Sequence, residues 1–291
     1  MPTEPTSMHL ASPDGTPIAV YRWDPAGAPR AILQITHGVG EHALRYGRLA
    51  AAAADRGYVV YSHDHRAHGA SAPSAEDLGV LGEDGWSELV RDIGRVGDLA
   101  RAAHPDLRLG LVAHSLGSFA TQQLLLDRSA DIDAVVLSGT AAIDLLEPMM
   151  DLDAPMDLSA FNAPFQPQRT DFDWLSRDDA EVDAYIADPL CGFGLDLPGG
   201  RAMFVSARQL ADPERVAQMR SDLPVHITVG EADPVGGGGA LVDALVDRYR
   251  QAGLTDVTKT VWPGARHEVF NETNRDEVVT ELLDWIDSAL G

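Results

Sequence analysis

Along the chain, short apolar runs alternate with longer stretches whose apolar residues recur every three or four positions. The first signal is a pair of short strands in residues 7–23, "SMHLASPDGTPIAVYRW", around a Pro13-Asp14-Gly15 turn, which predicts a β-hairpin. Buried strands are then predicted at "AILQITHG" (31–38), "YVVYSHD" (58–64), "LRLGLVAH" (107–114), "IDAVVLSG" (132–139), "PVHITVG" (224–230) and "DVTKTVW" (256–262). Between them lie helical patterns: 43–57, alanine-rich and stopped by Gly57; 86–104; 116–128; 240–253; and 275–290. Strand and helix in alternation predict an α/β fold, a mostly parallel twisted sheet with helices on both faces.

The rhythm fails between 143 and 200. That stretch is rich in Pro, Asp and Met, with one helical piece at "SRDDAEVDAYI" (176–186). Its apolar residues, among them Leu145, Met149, Met156 and Phe161, need something to cover or a greasy ligand to meet. The expectation is a core formed by residues 1–142 and 201–291, with 143–200 inserted as a cap or lid.

Composition narrows the function. The chain has 291 residues and a formal charge of −23, with 45 acidic against 22 basic side chains. Such a surface repels phosphate backbones and anionic bilayers, so nucleic-acid binding is not expected, and membrane or micelle contact is expected to be transient and through the cap. No apolar stretch approaches the ~18 residues needed to span a bilayer, and the start has no signal-peptide pattern. Cys191 is the single cysteine, which excludes an internal disulfide. A cytoplasmic protein is expected.

The chemistry sits at "LGLVAHSLGSFATQQLL" (109–125), where a buried strand gives way at once to a helix. Ala113-His114-Ser115-Leu116-Gly117 is a variant of G-x-S-x-G, the strained turn that stands a serine hydroxyl clear above a sheet. A serine needs a base, and in this arrangement an acid and a histidine follow it in chain order. Asp233, in a loop just past a strand, is the candidate acid, with Glu231 the alternative; His267, past Pro263 and Gly264, is the candidate base. Acyl transfer also needs oxyanion donors, assigned to the backbone N–H groups of Leu116 and Val39, the latter between Gly38 and Gly40.

A rival signal is His63-x-His65-x-x-His68, which is similar to an H-x-H-x-D-H metal motif but carries Ala67 where the Asp belongs. Neither a metal nor another cofactor is expected. Asp64, Arg66 and His68 read instead as a buried polar network, Glu41 and His42 as braces of the Val39 loop, and Cys191 as a packed thiol.

With these residues in place, the chain resembles the monoacylglycerol lipases and bacterial lysophospholipases of the α/β-hydrolase superfamily. His37-Gly38-Val39-Gly40-Glu41-His42 with Arg45-Tyr46 is similar to their HG-x-x-EH-x-x-RY stretch, and "DHRAHGAS" (64–71) to DHRGHG-x-S. "ADPLCGF" (187–193), "GEADPV" and "RHEVFNE" resemble their cap, acid and histidine segments. The resemblance implies an α/β-hydrolase fold and a Ser115–Asp233–His267 triad. It further implies an oxyanion hole at Val39 and Leu116, and a monoacyl ester as substrate. An aminopeptidase of the same fold is the alternative; it would need acidic groups for a substrate amine, and the cap carries Asp151, Asp153, Asp157, Asp178, Asp179 and Glu181. A non-catalytic binding protein of this fold is the remaining alternative. Ala113 and Ala67 depart from the family's glycines by one methyl each.

Overall fold

A computed structural model describes residues 4–291. Eight strands form one sheet in the order β1-β2-β4-β3-β5-β6-β7-β8. β1 (Thr6–Ala11) and β2 (Pro17–Trp23) are the expected hairpin; Ser12 N donates to Thr16 O across the turn, and Gly15 takes a φ of +89° that a side chain would resist. β2 runs antiparallel to β4 (Tyr58–His63), and the remaining pairs are parallel: β3 (Ala31–Thr36), β5 (Leu109–His114), β6 (Ala134–Ser138), β7 (Val225–Gly230) and β8 (Val257–Trp262). The mostly parallel sheet of an α/β-hydrolase is thus present.

Strands β3 to β7 are buried along their whole length, which is why they read as unbroken apolar runs rather than alternating ones. Successive residues nevertheless serve different faces. Ile32, Val59, Leu111 and Val135 join one core, under helices α2 (Gly85–Ala103), α3 (Leu116–Arg128) and α8 (Ala240–Gln251). Leu33, Val60, Val112 and Val136 join the other, under α1 (Gly47–Asp55) and α9 (Arg275–Leu290). The alanine run of α1 lets its backbone lie close to the sheet.

Between β6 and β7 the chain carries α4 (Ile143–Leu146), α5 (Asp179–Ala187), α6 (Leu197–Ala207) and α7 (Pro213–Val216). α5 is the helical piece expected from the pattern. α6 was not expected, and it runs through residue 200, where the insertion was expected to end. Gly199 and Gly200 hid it, yet Asp196, whose side chain accepts from Gly199 N, and Pro198 in the first turn are a helix-start signal. Asp212-Pro213 opens α7 in the same way, with Asp212 accepting from Glu214 N.

The switch in strand order falls between β3 and β5: the chain leaves β3 towards β4 on one side and leaves β5 towards β6 on the other. Loops at the carboxyl ends of these two neighbours therefore diverge and leave a crevice, the usual ligand site of such sheets. Thr36 pairs with Ala113 and His114 with Ser138, so the loop after β3 and the turn after β5 emerge side by side.

The two alanines that replace glycines have different fates. Ala67 sits at φ +59°, a left-handed conformation that its methyl resists. Ala113 lies inside β5, fully buried in the core. Ala67→Gly is expected to stabilise the fold by about 1 kcal/mol, and Ala113→Gly to destabilise it by about 1 kcal/mol, in urea unfolding.

Under the β3 loop lies a cluster of buried imidazoles: His37 and His65 have ring centroids 4.3 Å apart, and His63 and His65 4.7 Å. Burial holds His63 and His68 down to about 4 and His114 to about 3, and pushes His37 and His65 well below the usual 6.5. These five stay neutral in the folded state and take up protons on unfolding below pH ~6.5. Stability should therefore fall as pH is lowered from 6.5 towards 4. His267, whose pKa is raised, acts in the opposite sense but is one group against five. Neither ring nitrogen of His63 has a hydrogen-bond partner among the described residues, so His63→Leu should flatten this dependence of the urea midpoint on pH without loss of stability at pH 7.

Candidate active site

Ser115 holds φ +50° and ψ −121°, outside the regions a serine prefers, and is one of two non-glycine residues with positive φ among those described. Three contacts hold it there. Ser115 N donates to Ser138 O at 2.9 Å, Phe119 N donates to Ser115 O at 3.0 Å, and Gly117 N donates to His37 O at 3.1 Å. A Cβ on Gly117 would stand 2.6 Å from His37 O and 2.9 Å from Thr36 O, so backbone atoms on the β3 side forbid any side chain there. A Cβ on Gly38 would reach the Ser115 Cβ at 3.1 Å. The turn therefore demands glycine at 117 and 38, whereas position 113 accepts a methyl.

Asp233 follows β7, and its Oδ1 accepts from Val235 N at 3.0 Å. Its Oδ2 lies 2.9 Å from Nδ1 of His267, which arrives on the loop after β8. Both are buried. His267 is fixed further by its N–H to Trp174 O at 3.2 Å and by the Trp174 ring, with centroids 4.8 Å apart. Burial disfavours the imidazolium, but the charges of Asp233, Glu268 and Glu41 outweigh it and raise the His267 pKa above 6.5. The alternative acid Glu231 is exposed and accepts from Gly264 N at 2.8 Å, so it braces the loop and does not meet the histidine.

Ser115 and His267 line one narrow cleft together with Gly38, Val39, Glu41, Trp174, Tyr185 and Glu268. Ser115, Val39 and Leu116 also line a second, apolar cleft, walled by Phe119, Met156, Phe161 and Phe204. Ser115 thus stands where a cleft of mixed lining, carrying Glu41, Glu268 and His267, meets an apolar one. Among the described residues, the backbone N–H groups of Val39 and Leu116 meet no acceptor. The neighbouring Gly38 N–H is taken by Glu41 Oε1 at 2.6 Å.

Glu41 is a brace of this loop, as expected, and it belongs to a larger assembly. Arg45 Nη1 donates to Glu41 at 2.6 Å, and Arg45 grips Glu268 with two bonds of 2.7 Å, while Tyr46 Oη donates to Glu41 at 2.8 Å. The Val39 loop and the His267 loop are tied together by one guanidinium. Sequence reading missed Glu268; its only signal was adjacency to His267.

His42 differs from expectation. It ties the Val39 loop to the insertion rather than to the core, meeting Asp188 Oδ2 at 2.9 Å, and its Nε2, one atom from Asp188 and the sulfur of Cys191 lie within 4.8 Å of one another. Burial pushes the Cys191 thiol pKa well up. The histidines of the rival metal motif do not share a centre: His65 Nε2 meets His37 O at 3.1 Å and His68 Nδ1 meets Arg66 O at 3.0 Å. The expected Asp64–Arg66–His68 network is in fact two. Asp64 accepts from Ala43 N, Ala70 N and Tyr21 Oη, whereas Arg66 pairs with Asp92 and Asp14 on the other side of the loop.

No helix among the described residues is long and apolar enough to cross a membrane. A family profile described as "Serine aminopeptidase, S33" matches residues 27–274. A monoacylglycerol lipase of Mycolicibacterium smegmatis is 33% identical over 97% of this chain and 96% of its own, and a monoglyceride lipase of Mus musculus 30% identical over 96% and 89%. Among solved structures, a thermostable carboxyl esterase from Bacillus coagulans superposes with a TM-score of 0.87 at 24% identity, covering 99% of this chain and 100% of that one. On fold, profile and sequence together, the chain belongs to the serine aminopeptidase S33 family of the α/β-hydrolase superfamily and is related to the monoacylglycerol lipases.

Proposed function

We propose that this enzyme hydrolyses monoacyl carboxylic esters, such as a monoacylglycerol or lysophospholipid, through Ser115, His267 and Asp233. The observation that carries the reading is Ser115 in its strained turn, sharing a cleft with an imidazole already hydrogen-bonded to a buried carboxylate. His267 Nε2 takes the hydroxyl proton as Ser115 Oγ attacks the ester carbonyl; Asp233 holds the ring through Nδ1 and stabilises the imidazolium. The oxyanion is received by the Val39 and Leu116 amides, which have no competing acceptor among the described residues. The imidazolium then gives its proton to the leaving alcohol, and water activated by the same base releases the acid.

The two clefts support a division of the substrate. The acyl chain enters the apolar cleft, whose walls come largely from the insertion between β6 and β7, of which residues 143–200 are assigned as a cap over the core. The alcohol occupies the mixed cleft beside Glu41, Glu268 and His267. Leu145 and Met149 are exposed on this insertion and support transient contact with a micelle or lipid surface.

The family profile's description favours one second reading, an aminopeptidase. Its ammonium would require an uncommitted carboxylate near Ser115. Glu41 and Glu268 face the mixed cleft but are both held by Arg45, and in the insertion Asp178 pairs with Arg275, Glu181 with Arg48 and Asp183 with Arg169. The apolar cleft beside Ser115, which suits an acyl chain, favours the ester reading.

A fluorophosphonate probe should label wild-type protein but not Ser115→Ala, and Ser115→Ala should lose about 10⁴-fold or more of nitrophenyl-ester turnover. Near wild-type turnover in that variant would overturn the reading. Across a chain-length series, acyl esters should outrun an aminoacyl anilide; the reverse order would favour the aminopeptidase.

Because His267 acts as a base, kcat/KM should fall as it is protonated, with an acid-limb midpoint above pH 6.5. Glu268→Gln removes one of the charges that raise this pKa, so the midpoint in a pH–rate profile should move down.

A further inference from the structure

The segment Asp188–Phe193 of the insertion lies directly on the loop that carries Val39. Gly192 N donates to Gly40 O at 3.0 Å, and a Cβ on Gly40 would come within 2.3 Å of Phe193 O. At this seam three side chains of different chemistry converge, from positions nearly 150 residues apart in sequence: His42 of the loop, and Asp188 and Cys191 of the insertion. One ligand atom from each lies within 4.8 Å of the other two.

The arrangement is built before any ion arrives. Cys191 N donates to Asp188 O at 3.0 Å, closing a tight turn that puts sulfur and carboxylate on one side. Leu190 N donates to Asp188 Oδ1 at 2.9 Å, which orients the carboxylate and leaves Oδ2 facing His42 Nε2. His42 is buried, Asp188 and Cys191 only partly, so an approach from solvent exists. A tetrahedral ion with bonds of about 2.0 Å to N and O and 2.3 Å to S needs donor separations of roughly 3.3–3.6 Å. The N–O pair stands at 2.9 Å and must open by about 0.4 Å to admit the ion, while the Cys191 sulfur, within 4.8 Å of both, is drawn in.

We propose that His42, Asp188 and Cys191 form a binding site for a borderline-soft divalent cation of the zinc class, which clasps the insertion to the Val39 loop. One imidazole, one carboxylate and one thiolate suit zinc and exclude the oxygen-seeking magnesium and calcium. Aspartate and thiolate together balance the two charges of the ion. The nearby Arg45 does not oppose it, since its charge is already matched by Glu41 and Glu268. Binding replaces the S–H bond by a metal–sulfur bond and releases that proton to solvent; it also breaks the Nε2–H to Asp188 hydrogen bond of the free site, the ring giving up its Nε2 proton and taking one from solvent on Nδ1, so that the Nε2 lone pair faces the ion. A fourth position is left for water. The proposal stands independently of which bond the enzyme hydrolyses.

The test uses full-length, untagged protein and Co²⁺ or Zn²⁺ alone. Because Cys191 is the single cysteine, a thiolate-to-cobalt charge-transfer absorption reports this residue and no other. One equivalent of Co²⁺ should produce that band and Zn²⁺ should abolish it, with Mg²⁺ and Ca²⁺ without effect. Cys191→Ala should remove the band and weaken Zn²⁺ binding by about 100-fold in calorimetry, and Asp188→Asn or His42→Gln by about 10-fold or more. Circular dichroism of each variant checks folding, and Cys191→Ala, a change at a half-buried thiol, keeps the test open if His42→Gln misfolds. No charge-transfer band in the wild type, or Zn²⁺ affinity unchanged in Cys191→Ala, would overturn the site.

Discussion

One hydrogen bond joins the two halves of this site: Gly117 N to His37 O, at 3.1 Å. It draws the first turn of α3 against the loop leaving β3, and the contact is so close that no side chain fits at residue 117. Through it, the N-terminal end of a helix, the strained Ser115 and the Val39 loop become one rigid piece. Strain at Ser115 persists because bonds to Ser138 O, from Phe119 N and at Gly117 over-determine the backbone. The sheet supplies the foundation, since only neighbours at the reversal of strand order leave a crevice between their carboxyl ends.

Charge around the crevice is organised rather than abundant. The molecule is strongly acidic overall, yet the carboxylates that face Ser115 are committed. Arg45 neutralises one of Glu41 and Glu268, so the pair with its guanidinium leaves a net negative charge beside His267. That charge favours the imidazolium and makes the histidine a stronger base than its burial alone would allow. The same guanidinium ties the loop after β3 to the loop after β8, so electrostatics and mechanical support come from one residue. The insertion is held to the core by further arginine pairs, Arg275 with Asp178 and Arg48 with Glu181, and by the backbone seam at Gly40 and Gly192.

Much of the architecture was legible in the chain. Apolar runs and helical periodicity located all eight strands and the long helices, because each of those elements buries a face of its own. Pattern reading failed at α6 and α7, where Pro and Gly conceal helices that Asp196 and Asp212 nevertheless cap. It failed also at Asp64 and Arg66, whose partners lie on remote segments, and at Glu268, which no local pattern marks. Ala67 and Ala113 looked equivalent in sequence; φ distinguishes them, with strain at one and ordinary strand packing at the other.

What the sequence by itself determined is local: strand, turn and helix around Ser115, glycines where backbones must touch, and an acid and a histidine in later loops. Tertiary structure decided the order of the strands, the choice of Asp233 over Glu231 as the partner of His267, and the meeting of His42 with Asp188 and Cys191. The physical reason is range. Burial and backbone conformation act on neighbouring residues and leave a periodic trace, whereas a hydrogen bond between loops 34 positions apart depends on where the sheet has carried them.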